Sequence, residues 1–254
     1  MVRALRAILT LVLVVCVMTC PAATLSGSGV RVSVSDDGLA VDWPEHLASL
    51  RAPASRLSID GADSAVDADG WSAQVTRATV DDALGAGKAL AARYERPGVV
   101  RLELLVRLTA EPTQVVLMPR LTSLADRTLT VQGVAALSDA RLSLGSLASG
   151  DLSPTVYVDS GSQGGTHIAR LDEPRSCRGI CAIFNPAAEL GFVCANVSFE
   201  HDNAVWVAPG DGAISVQAET TTSLELAPGA THAFDPLLVD CHPSALKFTL
   251  PVRR

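Results

Sequence analysis

The sequence is poor in the residue types that announce a reaction. Aromatics make up 4% of 254 residues, with three Trp, two Tyr and five Phe, so stacking on a ligand falls to very few side chains. The five histidines, His46, His167, His201, His232 and His242, have no metal-ligand spacing. A zinc pattern is also lacking, since three residues separate Cys177 from Cys181 and no second close pair follows. Asp60, Asp63, Asp67 and Asp69 lack the spacing and terminal Glu of a calcium loop. No Lys-Ser or Lys-Thr follows the glycine-dense segment Ser160 to Gly165, which argues against a phosphate-cradling loop. Gly161-Ser162-Gln163-Gly164 does not centre a serine as a nucleophile elbow requires. We therefore expect no metal, no cofactor and no catalytic residue in this chain.

An excess of basic residues is lacking too, and with it a case for nucleic acid or anionic membranes as partners. Arg3 and Arg6 start a secretory signal whose apolar run, Ala7 to Met18, is too short to span a bilayer. We expect residues 1–22 to be removed, 23–245 to form one domain and 246–254 to be a tail. Without Arg3 and Arg6, 18 basic residues face 27 acidic ones, a surplus that serves solubility. Secretion, stable membrane insertion being excluded, is the expected localisation.

Four cysteines remain in the mature chain, Cys177, Cys181, Cys194 and Cys241, and an even number in a secreted protein suggests disulfides. Three connectivities are open. Cys181 and Cys194 lie symmetrically about the turn Asn185 to Ala188, so a cross-strand bridge is one candidate, with Cys177–Cys241 left over. Asn196-Val197-Ser198 is a glycosylation acceptor sequence, although a strand there would shield Asn196.

What the sequence does contain is strand grammar. Val30 to Val34 and Leu39 to Trp43 alternate on either side of Ser35-Asp36-Asp37-Gly38, a hairpin signal. Glu45 to Arg51 reads as a helical turn or loop, Leu57 to Ile59 as a strand, Gly61 to Gly70 as a loop and Trp71 to Val80 as a strand. Asp81 to Gly87 reads as a turn. Val99 to Thr109, Thr113 to Met118 and Thr128 to Leu137 are strand-like, and Arg141 to Leu147 reads as a further hairpin-like passage. Strands are also expected at Thr155 to Asp159, Ile180 to Phe184, Gly191 to Phe199, Ala204 to Val207, Ala213 to Ala218, Ser223 to Leu226 and Ala233 to Val239. Turn signals thus recur at sandwich intervals, and the expected fold is all-β and antiparallel.

Three short motifs recur in a familiar order: Asp82-Ala83-Leu84-Gly85-Ala86-Gly87-Lys88, Leu121-Thr122-Ser123-Leu124-Ala125-Asp126-Arg127, and Val158-Asp159-Ser160-Gly161. Glu189-Leu190-Gly191-Phe192-Val193, Leu226-Ala227-Pro228-Gly229 and Asp235-Pro236-Leu237-Leu238-Val239 complete the set. Between Trp71 and Ala245 the chain resembles the N-terminal β-supersandwich domain of α-galactosidase-like glycoside hydrolases, the galactose-mutarotase-like sandwich. The resemblance implies carbohydrate as partner, α-galactosides included. It also implies that the two catalytic aspartates belong to a barrel, which needs roughly 250 further residues. Asp159, Ser160, Gly161, Gln163 and His167 would then be rim residues of a ligand site.

The leading expectation is a glycoside-hydrolase-related sandwich, non-catalytic by itself. One alternative is a carbohydrate-binding module, which needs an exposed Trp; core packing is expected of at least two among Trp43, Trp71 and Trp206. Another is an aldose-epimerase-like enzyme built on His167 or His201, which lacks an evident Glu partner. Adjacent strand residues face opposite ways, so Asp202 is not expected to orient His201. Expressed through a secretory pathway, the chain should carry Ala23 at its amino terminus; N-terminal sequencing that returned Met1 would overturn the signal assignment.

Overall fold

A computed structural model describes residues 22–35, 38–53, 55–82, 85–145, 155–159, 166–185, 188–210 and 212–243, with the backbone alone at 155–159 and 166–170. The strands are β1 (Ala23–Ser26), β2 (Arg31–Ser35), β3 (Gly38–Trp43), β4 (Ala48–Ala52), β5 (Arg56–Ile59), β6 (Ala62–Ala65) and β7 (Ser72–Asp82). Next come β8 (Gly85–Arg96), β9 (Val100–Leu108), β10 (Val115–Ser123), β11 (Leu129–Leu144), β12 (Thr155–Asp159) and β13 (Thr166–Arg170). β14 (Arg175–Cys177), β15 (Ile180–Asn185), β16 (Leu190–Asn196), β17 (Asp202–Gly210), β18 (Ala213–Leu226), β19 (Thr231–Ala233) and β20 (Leu237–His242) follow. The one helical piece among the described residues is a 3-10 turn at Pro44–His46.

Two antiparallel sheets result. The first runs β1-β2-β3-β4-β11-β18-β17-β14, with the β5–β6 hairpin also paired to β11. The second runs β13-β12-β15-β16-β20-β10-β9-β8-β7, with β19 beside β10. Inward-facing residues of both sheets pack together, so Val41, Trp43, Leu50, Leu142, Val205 and Val216 share one core with Leu102, Val106, Leu117, Phe192 and Val239. The expected all-β supersandwich is therefore the observed fold.

The β2–β3 hairpin has the expected register, Val34 opposite Leu39 and Ser35 opposite Gly38. Gly38 has a φ of 116°, and a Cβ there would sit 2.2 Å from the Ala52 carbonyl oxygen, so the position excludes any side chain. Pro119 lies inside β10, where a missing N–H normally breaks a ladder. Its carbonyl accepts from Phe234 N–H at 3.0 Å, so its nitrogen faces the gap where the neighbouring strand changes from β20 to β19.

Several boundaries differ from expectation, for a shared reason. Gly85 to Gly87 are not turn but the start of β8, a Gly- and Ala-rich strand that pairs with β7 on one side and β9 on the other. Glycine leaves room there: the Arg107 side chain is 1% exposed, bonded to Asp82 and to the Gly85 carbonyl at 2.5 Å, and its guanidinium lies against Gly87. The expected loop at 61–70 contains β6, recruited by β5. Residues 45–51 divide into the 3-10 turn and β4. Thr128–Leu137 and Arg141–Leu147 are not separate: β11 continues to Leu144 through bulges, and Asp139 at φ 50° is the irregular residue that broke the alternation. Val197 to Phe199 lie past the end of β16, and the expected strand 233–239 is two pieces, β19 and β20.

The hairpin symmetry of Cys181 and Cys194 is found, since they are direct partners in the β15–β16 register. The bridge is not: Cys177, Cys181, Cys194 and Cys241 are all buried free thiols. Directly opposed strand positions do not match relaxed disulfide geometry well. Cys177 is hydrogen-bonded to Cys181 and to the Val205 carbonyl at 3.3 Å, rather than being joined to Cys241. Contact with Cys177 and burial raise the Cys181 thiol; burial and then the neighbouring Cys177 push Cys194 up, and burial with Asp240 takes Cys241 to about 12. Asn196 is buried on β16, opposite Leu237, so the folded strand shields its amide.

Trp43 is fully buried, packs edge-on against Phe192 at 6.1 Å, and donates its indole N–H to the Thr113 carbonyl at 2.7 Å. Trp43→Phe, which removes the donor and keeps most of the ring, should cost about 1–2 kcal/mol. Trp43→Ala should cost about 3–5 kcal/mol through the cavity it leaves. Urea denaturation measures both, and equal losses would show that the hydrogen bond contributes nothing.

Candidate functional site

The outward face of β17 and β18 is built by alternation. Val205 and Val207 point into the core, so Trp206 between them must point out, and its ring is 49% exposed. Register sets Gln217 beside Trp206, Ser215 beside Ala208 and Glu219 beside Ala204. β14 pairs along the other side of β17 and places Ser176 next to Trp206, with Arg175 following from the same edge. The result is a groove of about 430 Å³ lined by Pro174, Arg175, Trp206, Ser215, Gln217 and Glu219. Gln217 donates to the Glu219 carboxylate at 3.2 Å, and Arg175 is held by Glu173 at 2.8 Å. An open aromatic ring ringed by an amide, a carboxylate, a guanidinium and a hydroxyl can stack on the apolar face of a polyol ring while bonding its edge.

A second constellation lies between the sheets, where the segment before β17 meets the β19–β20 connection. Asp235 is 3% exposed and accepts from Asn203 Nδ2 at 2.7 Å, from the backbone N–H groups of His201 and Glu200 at 2.9 and 3.2 Å, and from the Ser198 hydroxyl. Burial raises its carboxyl, but these donors outweigh burial and bring it from 3.8 to about 2. His201 Nδ1 stands 3.1 Å from the same carboxylate, and its Nε2 stands 2.9 Å from His232 Nε2. A carboxylate can only accept, so His201 donates its Nδ1–H to Asp235, and in that neutral tautomer its Nε2 is the acceptor for the His232 N–H. Burial and then the neighbouring His201 hold His232 below 6.5, partly opposed by Glu200 and Asp235. This chain of one acid and two imidazoles can hold and pass a proton.

Of the expected rim residues, Asp159 and His167 lie at the tip of the β12–β13 edge hairpin, in the pairs Asp159–Thr166 and Val158–His167. Ser160, Gly161 and Gln163 lie outside the described residues. Trp43 and Trp71 are the two packed tryptophans, as expected of at least two. Trp206 carried a legible signal, a large aromatic flanked on both sides by inward valines. Asp235 carried none, because the partner of His201 is 34 residues away and not the adjacent Asp202.

No family model and no curated protein matches the chain. Solved structures do. A GH36 α-galactosidase, AgaA from Geobacillus stearothermophilus, superposes with a TM-score of 0.59 at 8% identity, over 89% of this chain and 41% of that one. The α-N-acetylgalactosaminidase NagBb from Bifidobacterium bifidum, in a GalNAc complex, gives 0.58 at 10% identity, over 87% and 36%. These chains share its sandwich fold. The present chain spans about two fifths or less of such galactosidases. A putative aldose 1-epimerase from Escherichia coli gives 0.53 at 14% identity, but over 87% of this chain and 98% of that one. The shared feature is the architecture, in agreement with the resemblance read from the motif order.

Acid should weaken the fold in two windows. His232 is held below its ordinary value, so the unfolded chain binds a proton first as pH falls through about 6.5, and stability drops. Asp235 is depressed, so its contribution is complete above about 4 and is lost as pH falls toward 2. Asp235→Asn should abolish the lower window and cost about 2 kcal/mol at pH 7. Urea midpoints between pH 2.5 and 7.5 test this; a variant with an unchanged profile would remove Asp235 from the account.

Proposed function

We propose that this chain is a secreted carbohydrate-binding sandwich of the glycoside-hydrolase kind, which presents the Trp206 face to sugar and does not cleave glycosides by itself. The carrying observation is Trp206, a half-exposed indole set among Gln217, Glu219, Ser215 and Arg175 on a rigid pair of long strands. The fold it shares with an α-galactosidase and an α-N-acetylgalactosaminidase supports galactose-type sugars as the first to try. The acidic surface is compatible with a neutral ligand and supports neither nucleic acid nor an anionic membrane as partner. No helix among the described residues is long and apolar enough to cross a membrane.

A second reading is favoured by the His201–His232–Asp235 chain. An aldose-epimerase-like enzyme needs a positioned base, and His201 is positioned by a buried carboxylate. Polarimetry of freshly dissolved α-D-galactose decides it: acceleration that His201→Gln removes would make the chain an enzyme, and no acceleration leaves the binding reading.

Binding itself is read from tryptophan fluorescence during titration with methyl α-D-galactoside and N-acetylgalactosamine. Trp206→Ala should weaken binding about tenfold, equivalent to about 1.4 kcal/mol, without changing the urea midpoint, because the ring lies outside the core. Binding unaltered by that substitution would sink the groove as the sugar site.

A further inference from the structure

A cavity of about 360 Å³ lies where the β5–β6 hairpin of the first sheet meets the β8–β9 turn of the second. It shares no lining residue with the Trp206 groove and is more enclosed. Leu57, Ile59, Val99 and Val100 supply apolar wall, and Trp71 stands beside them with its indole N–H anchored to Ser64 Oγ at 3.1 Å. Four charged residues complete the lining: Asp60, Asp63, Arg96 and Arg127. Arg127 and Asp60 form a pair at 2.6 Å, and Asp60 also accepts the Thr130 N–H at 2.9 Å, so this part of the rim is fixed before any ligand arrives.

The chemistry of that lining is selective. Two positive and two negative residues leave no net charge, so neither an anion nor a cation is favoured as a whole. What remains is an indole and aliphatic hollow bordered by donors (Arg96, Arg127) and acceptors (Asp60, Asp63). A ligand that satisfies all of these is neutral, has an apolar face, and carries both donors and acceptors around its edge. The volume falls in the range of about 300–1,000 Å³ usual for small-molecule sites.

We propose that this cavity is a second carbohydrate site, which takes the terminal pyranose of a neutral sugar, while the open Trp206 groove takes a unit within a chain. The choice of ligand rests on the carbohydrate reading of the Trp206 face; the cavity itself does not depend on that face. Two such sites on one rigid sandwich would let a single branched or long glycan engage both, with a gain in avidity that neither site has alone.

The test follows the three indole N–H signals in proton–nitrogen correlation spectra of the full chain, during titration with methyl α-D-galactoside, methyl α-D-glucoside and N-acetylgalactosamine. The Trp71 signal should shift saturably with at least one of these probes, in the wild type and equally in Trp206→Ala. Asp63 and Arg96 are exposed, so the double variant Asp63→Ala, Arg96→Ala should keep the fold. It should raise the Trp71-detected Kd roughly fivefold or more, as expected on removing an acceptor and a donor. The proposal is overturned if the Trp71 signal ignores all three sugars, if its response disappears in Trp206→Ala, or if the double variant binds as the wild type does. A silent Trp206 beside a responsive Trp71 would remove the groove and leave this site standing.

Discussion

A buried chain of hydrogen bonds from Trp43 through Thr113 to Asp240 ties the two sheets and sets their alignment. Trp43 on β3 reaches across the core to the Thr113 carbonyl at the entry to β10. The Thr113 hydroxyl donates to Asp240 on β20 at 2.6 Å, and the other oxygen of Asp240 meets His242 Nε2 at 2.6 Å. Apolar packing holds sheets face to face but sets no lateral alignment, since it has no direction. A buried polar chain does, because any sliding of one sheet over the other would leave an indole N–H, a hydroxyl or a carboxylate without its partner.

That alignment positions both candidate surfaces. β11 and β18 are the longest pair in the first sheet, and β17 is carried on β18, so the Trp206 face rests on the longest strand pair of that sheet. The Asp235 cluster and the Trp71 cavity are different in kind. Each lies where an element of one sheet meets an element of the other, so each exists only when the sheets are in register. Asp235 comes from the connection between strands of the second sheet, while Asn203 belongs to β17 of the first and is fixed in turn by Thr220 at 2.7 Å.

The motifs that suggested a supersandwich were turns and strand starts, and those are local. Gly38 and the β15–β16 hairpin were legible because each depends on neighbours within a few residues; the outward Trp206 carried a local signal of the same kind that the tryptophan reading did not use. The start of β8 was not legible: Gly85-Ala86-Gly87-Lys88 has poor strand propensity, and it is a strand because β7 pairs along it and because Arg107 occupies the space its glycines leave. The disulfide expectation failed on the same ground. Spacing predicts that Cys181 and Cys194 stand opposite one another, but whether thiols join depends on side-chain directions that register does not specify.

By itself, then, the sequence determined the period of the strands, most of their turns and therefore the class of fold, because side-chain alternation and glycine geometry act over a few bonds. It also determined which face Trp206 occupies, for the same reason. Only the tertiary structure decided that His201 is served by Asp235, that Cys177 meets Cys181, and that Trp71 borders a cavity with Arg96 and Asp63. Those contacts join different sheets or distant connections, and nothing along the chain encodes them except the mutual fit of two surfaces that form separately.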